Sequence, residues 1–146
     1  MDDIRIWLSR PHMGGTELGF VNDTFDSNFI APVGPMLSRF ENIIAEYLGG
    51  EVQCVALSSG TAAMHLALLQ AGVGKGDEVW TNSMTFAGDV FPIDYVGAVP
   101  VFFDLSEESW SVSIELLEQE LKKAFVQGCL PKAIIPTDLY LSLIHI

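Results

Sequence analysis

Ser58-Ser59-Gly60-Thr61 is the stretch whose residue types are best suited to hold a charged ligand. It joins an apolar run, Cys54-Val-Ala-Leu57, to a segment that is apolar nearly all round: Ala62, Ala63, Met64, Leu66, Ala67, Leu68, Leu69 and Ala71. The first has the pattern of a buried strand and the second of a buried helix. Gly60 lets a backbone come close to a ligand, while the hydroxyl and the free amides of a first helical turn point outward. The positive end of a helix dipole then favours an anion, a phosphate above all. The plainer reading is that Ser59 or Thr61 only caps the helix. The motif is not a Walker A loop, a Gly-x-Gly-x-x-Gly dinucleotide fingerprint or a Gly-x-Ser-x-Gly nucleophile elbow. Local physics names a phosphate and not its owner.

A second candidate is Phe86, in the polar frame Asn82-Ser-Met-Thr85 after an expected strand. An aromatic ring there stacks on a flat ligand or, alternatively, covers the sheet edge. The elements that must position both candidates follow from periodicity. Glu78–Asn82, Val101–Leu105 and Lys132–Pro136 read as strands, and Thr85–Val96 and Ser113–Val126 as helices, with Pro92 kinking or splitting the former. Ser113 caps the latter, which turns Ile114, Leu117, Leu121 and Phe125 inward. Counting the run before Ser58, this gives four strands alternating with helices, hence β-α-β units, an α/β fold and a mainly parallel sheet flanked by helices. Ligands of such sheets sit at the carboxyl ends of the strands. That places Ser59-Gly60-Thr61, Thr85-Phe86, Asp104 and Thr137-Asp138 on one rim.

Upstream, Ile4–Ser9 reads as extended and Thr16–Phe25 as a helix with Leu18, Val21 and Phe25 on one face. Pro35–Leu48 is an amphipathic helix with Met36, Phe40, Ile43, Ile44, Tyr47 and Leu48 expected in the core, ended by Gly49-Gly50. Between the two, Asp26–Pro35 is rich in turn formers yet carries Phe29, Ile30 and Val33. It packs on a ligand, on another chain, or on its own domain.

Composition sets the bounds. The 146 residues are enough for one domain, and an apolar content of 49% marks a globular chain. Seven basic against 19 acidic residues give a net charge of −12, which argues against nucleic acid and anionic membrane as partners. No apolar run is long enough to span a bilayer, and Met1-Asp-Asp-Ile-Arg5 has no signal-peptide pattern. Cys54 and Cys129 show no metal-ligand spacing and read as reduced core residues of a cytoplasmic protein. A phosphate site on so acidic a chain must draw on amides, hydroxyls, or basic groups from elsewhere.

In series, these segments resemble the fold type I, pyridoxal-phosphate-dependent sugar aminotransferases of the DegT type, from Ile4 to about Tyr140. The resemblance is carried by Leu8-Ser-Arg-Pro-His12 with Gly15-Thr-Glu17, by Ser27–Pro35 leading to Phe40-Glu41, and by Ser59-Gly-Thr-Ala-Ala-Met-His-Leu-Ala-Leu68. Gly74-Lys-Gly-Asp-Glu-Val79, Thr85-Phe86 and Gly97-Ala-Val-Pro-Val-Phe-Phe-Asp104 follow in the family's order.

The resemblance implies the ligand. Residues matching Gly60, Thr61 and Ala62 hold the phosphate of pyridoxal 5'-phosphate, and the aromatic matching Phe86 stacks on its ring. It further implies a homodimer, with the Ser27–Pro35 segment near its interface, and transfer of an amino group from glutamate to a nucleotide-linked keto-sugar. The family's cofactor-bearing lysine and its ring-nitrogen aspartate lie beyond the region that Tyr140 matches. None of Lys75, Lys122, Lys123 and Lys132 is assigned to catalysis, and His65 reads as a packing or supporting residue. Residues 1–140 thus read as the amino-terminal part of a cofactor-binding large domain. Leu141–Ile146 departs from the family pattern and reads as a non-family tail. Alternatives are a keto-sugar dehydratase on the same fold and a truncated, non-catalytic paralogue with a binding role. A partial sheet with an open edge also predicts aggregation of the segment expressed alone.

Overall fold

The computed structural model describes residues 11–139. The expected strand Ile4–Ser9 and the tail 141–146 lie outside the described residues. The described part falls into two units, divided between Ala56 and Leu57.

The first unit holds two helices, α1 (Glu17–Asp26) and α2 (Pro35–Tyr47). Both lie where the apolar spacing puts them, with Thr16 before α1 and Pro35 opening α2. Neither contains a buried residue. Phe40, Ile43 and Tyr47 are 56%, 51% and 85% exposed, so the expectation that this face is core is overturned. Leu18, Val21 and Phe25 of α1 are likewise exposed, as are Phe29, Ile30 and Val33 of the intervening loop. The period of 3.6 creates an apolar stripe but does not supply the surface that closes over it.

The second unit is an α/β layer structure. It runs α3 (Gly60–Gln70), β1 (Glu78–Asn82), α4 (Ala87–Tyr95), β2 (Val99–Phe103), α5 (Ile114–Gln127) and β3 (Ala133–Ile135). Its sheet has the order β2-β1-β3, all parallel, with Trp80 opposite Val101 on one side and Ile134 on the other. Alternation along β1 sends Val79 to one face and Trp80 to the other. Val79 joins Leu68, Val73, Ile93, Ala98 and Ile135 in a cluster with α3 and α4. Trp80 joins Phe103 and Ala124, with Leu116, Leu117 and Leu121 of α5 packed against them. Burying each such side chain contributes about 1.5–3 kcal/mol, which is what holds helices to both faces of the sheet.

Four sequence expectations need correction here. The expected strand Cys54–Leu57 does not form, because a strand exists only against a hydrogen-bonded partner and none is present among the described residues. The sheet therefore has three strands rather than four. Helix α3 is not buried all round: Leu68 is buried, whereas Leu66 and Leu69 are exposed, since one face of the helix meets α4 and the sheet. Cys129 is exposed and Cys54 half-buried, so neither is a core residue, and both are free thiols. On α5, Ile114 and Phe125 are 66% and 72% exposed, so the packing that covers Leu117 and Leu121 does not reach the two ends of the stripe.

Two prolines also sit where a proline is usually disfavoured. Strand β2 begins at Val99, two residues early, and takes in Pro100. Proline is tolerated there because β2 is an outer strand of the sheet. Pro92 does not split α4, which is continuous through it. It lies only five residues past the helix start and is fully buried, so one lost helical bond is set against core packing.

Candidate functional site

Ser59 is the N-cap of α3, and its Oγ accepts the Ala62 amide at 3.1 Å. That settles one of the four donors a helix start leaves over. Ala63 N–H reaches the Ser59 carbonyl at 3.1 Å. The amides of Gly60 and Thr61 have no carbonyl to reach within the helix and remain the open donors of this end. A Cβ added at Gly60 would meet nothing within 4 Å, so the backbone there faces open space. Among the three residues expected to grip an anion, Gly60 and Thr61 thus offer free amides. The Ala62 amide is held by Ser59 and reaches a ligand only by exchange.

Phe86 immediately precedes α4 and is the most exposed large aromatic of the second unit, at 79%. Gly88 shows how it stands to α3. A Cβ at Gly88 would lie 2.8 Å from Thr61 Oγ1, 2.9 Å from Phe86 Cδ1 and 3.0 Å from Phe86 Cε1. One point in space therefore touches both the Thr61 hydroxyl and the Phe86 ring. The absence of a side chain at Gly88 is what lets the first turns of α3 and α4 come together. A phosphate-sized grip and the face of an aromatic ring share one end of the sheet, and the residues present fit a planar ligand that carries a phosphate.

Four polar residues of the carboxyl rim pair with one another. Asn82, at the end of β1 and wholly buried, donates from Nδ2 to the Thr137 carbonyl at 3.0 Å and accepts the Thr137 amide at 3.3 Å. The Thr85 hydroxyl donates to Asp89 Oδ2 at 2.6 Å, and the Thr137 hydroxyl lies 3.2 Å from the same oxygen. The two hydroxyls are 2.8 Å apart. Of the rim residues expected from topology, Thr85 and Thr137 meet directly. Asp104 instead turns back on its own chain, accepting the Leu105 amide at 2.9 Å. Asn82 and Asp89 escaped the sequence reading. Their partner Thr137 lies 55 and 48 residues away, a pairing that only the sheet order β1-β3 creates.

The other candidates sit away from this rim. Gly76 N–H bonds the Gly97 carbonyl at 3.1 Å, and the Gly97 Cβ position lies 3.5 Å from Lys75. Lys75 is therefore at the amino end of β1, the far edge of the sheet. Lys122 and Lys123 ride α5 and pair with Glu118 and Glu120, each at 2.6 Å. His65 packs edge-on against Tyr95 with ring centroids 5.6 Å apart, which fits a packing role.

Against this geometry, the sequence profile of the DegT/DnrJ/EryC1/StrS aminotransferase family matches residues 11–143. The chain belongs to that family. It is 45% identical over 136 residues to EpsN of Bacillus subtilis (strain 168), which is named as a pyridoxal phosphate-dependent aminotransferase; the match covers 93% of this chain and 35% of EpsN. It is 39% identical over 113 residues to the GDP-perosamine synthase of Escherichia coli O157:H7, covering 77% of this chain and 30% of that protein. Its fold matches the crystal structure of a DegT DnrJ EryC1 StrS aminotransferase from Brucella abortus with a TM-score of 0.69 at 32% identity, over 88% of this chain and 38% of that one. The chain spans about a third of the length of the curated relatives it matches. The parallel sheet flanked by helices is thus part of a fold type I domain, as the motifs implied. No helix among the described residues is long and apolar enough to cross a membrane.

Proposed function

We propose that this chain is the amino-terminal part of the cofactor-binding domain of a pyridoxal-phosphate-dependent aminotransferase that acts on a nucleotide-linked keto-sugar. Glutamate is the amino donor and the working form is a cytoplasmic homodimer. The observation that carries the reading is the single point at Gly88 where the Thr61 hydroxyl and the Phe86 ring converge. The relatives' names supply the cofactor and the sugar-nucleotide substrate class.

On this reading Gly60 and Thr61 hold the phosphate through backbone amides, joined by the Thr61 hydroxyl. Ala62 adds its amide once Ser59 releases it, and the Ser59 hydroxyl, only an acceptor in the cap, has its own proton to donate to the same phosphate. The dipole of α3 adds to their pull, which compensates for the shortage of basic residues on the chain. Phe86 covers one face of the ring, fixing its plane and keeping water from that side. Bound there, pyridoxal phosphate supplies the electron sink that lets an amino group be exchanged for a carbonyl oxygen. The lysine that amino transfer requires is proposed to come from sequence that the relatives carry beyond this span.

The test uses the intact protein containing this segment, with pyridoxal 5'-phosphate, glutamate and a UDP- or dTDP-linked 4-keto-sugar. Expected are uptake of the cofactor with a visible absorbance band and glutamate-dependent amination of the sugar. Thr61→Val weakens uptake about tenfold, the loss of one hydrogen bond to a charged group. Sugar dehydration without net amino transfer would overturn the aminotransferase assignment, and failure to take up the cofactor would overturn the site.

A further inference from the structure

The polar cluster beside Phe86 is built as a clamp. Asp89 Oδ2, Thr85 Oγ1 and Thr137 Oγ1 form a triangle with sides of 2.6, 3.2 and 2.8 Å. Two hydroxyl protons can serve only two of these three contacts. The carboxylate, an acceptor only when ionised, is the group suited to take both protons. Asp89 is also tied through its backbone, its amide donating to the Phe86 carbonyl at 2.9 Å. Phe86 is therefore bracketed: Thr85 before it is pinned by its side chain, and Asp89 after it by side chain and main chain together. Yet the ring between them is 79% exposed. A large apolar group whose backbone is fixed and whose face is bare is arranged for a ligand rather than for the core.

We propose that Asp89 is a positioning residue. Through Thr85 and Thr137 it anchors the Phe86 segment to the end of β3, so the ring face is in place before the cofactor arrives. The inference rests on the cofactor reading above. Ordering a loop in advance removes an entropic cost that would otherwise be met on binding, and affinity rises accordingly.

The experiment loads the intact protein containing this segment with pyridoxal 5'-phosphate. It reads the dissociation constant, the induced circular dichroism of the bound cofactor, and the thermal midpoint of the cofactor-free protein. The control is Thr81→Val, which removes a buried bond from Thr81 Oγ1 to the Ile135 carbonyl (3.1 Å) between β1 and β3, outside the clamp. Thr81→Val is expected to lower the midpoint and leave both cofactor readings at wild-type values. Asp89→Ala weakens binding about tenfold and diminishes the induced dichroism. Asp89→Asn restores binding to within about threefold, because an amide oxygen standing where Oδ2 stands accepts from both the Thr85 and the Thr137 hydroxyls.

Wild-type binding and dichroism in Asp89→Ala, or losses no greater than those of Thr81→Val at the same fall in midpoint, would overturn the proposal. Should Asp89→Ala not fold, Thr137→Val decides by the same two readings, since it removes one corner and keeps the side chain's shape. A wild type that takes up no cofactor defeats the functional reading itself. Full wild-type uptake with indifferent Asp89 variants defeats this inference alone.

Discussion

Ile93 on α4 and Ile43 on α2 are isoleucines on two helices of this chain, α2 the more clearly amphipathic of the two, yet the first is fully buried and the second 51% exposed. The difference lies in what each helix has to lie upon. Helix α4 is carried between two strands of one parallel sheet and closes on Val79, Ala98 and Ile135. Among the described residues, α1 and α2 have no sheet in their unit, and their apolar stripes hold no buried residue. Periodicity in a sequence names the face a helix offers. Whether that face is covered is a property of the topology around it.

The sharpest way to break this comparison is a pair of truncations. Ile93→Ala is expected to lower unfolding stability by about 3 kcal/mol, from lost burial plus the cavity left behind. Ile43→Ala, at an exposed site, should change it by less than about 0.5 kcal/mol. Urea denaturation of the two variants decides. An equal loss at Ile43 would mean that α2 is covered in solution, by a second copy or by further sequence, and the contrast would vanish.

A smaller effect sharpens the picture at the site. Gly88→Ala puts a methyl group within 3.0 Å of the Thr61 hydroxyl and the Phe86 ring. The ring is free to swing outward, so the stability loss is held to about 1 kcal/mol. The displacement separates the two halves of the proposed grip, and cofactor affinity should fall by more than stability does. Titration calorimetry set beside thermal melting checks the split. A variant that loses stability and keeps full affinity would show that the Thr61–Phe86 approach is not needed for binding.

The smallest effect belongs to the first unit. The Glu17 carboxyl is held below its ordinary value of 4.5 by hydrogen bonds from its own amide and from those of Gly14 and Gly15, the last at 2.7 Å. A depressed carboxylate value means that the stabilisation is complete above about pH 4.5 and is lost as pH falls through the folded-state value below it. An NMR titration should show the Gly14 and Gly15 amide shifts following Glu17 in that acid window. Amides indifferent to pH there would show that the cap does not form. Because the group is fully solvent-exposed, the effect concerns local order at the start of α1 rather than global stability.

Much of the second unit was legible in the sequence. β1 has the bounds its pattern gave, Glu78–Asn82, and the Ser113 cap of α5 accepts the Leu116 amide at 3.3 Å. The positions of Thr61 and Phe86 on one edge also followed from strand order, because parallel β-α-β units send every strand's carboxyl end to the same rim. What stayed hidden had long-range causes. Residues 53–57 look like a strand but need a partner to become one. Pro100 lay just before the expected strand Val101–Leu105 and is accommodated within an outer strand. Asn82 and Asp89 read as ordinary polar residues until the sheet brings Thr137 beside them.

The two bonds between the Asn82 side chain and the Thr137 main chain have a consequence for the shortest element of the sheet. A carboxamide that gives one proton and takes one imitates a peptide unit, so β1 lends β3 an extra rung past Ile135. Three residues alone make a weak strand that frays from its open end. With its last step clamped by a neighbour's side chain, the chain leaves the sheet from a point that β1 dictates, and Thr137 is delivered to the rim with the accuracy of the central strand.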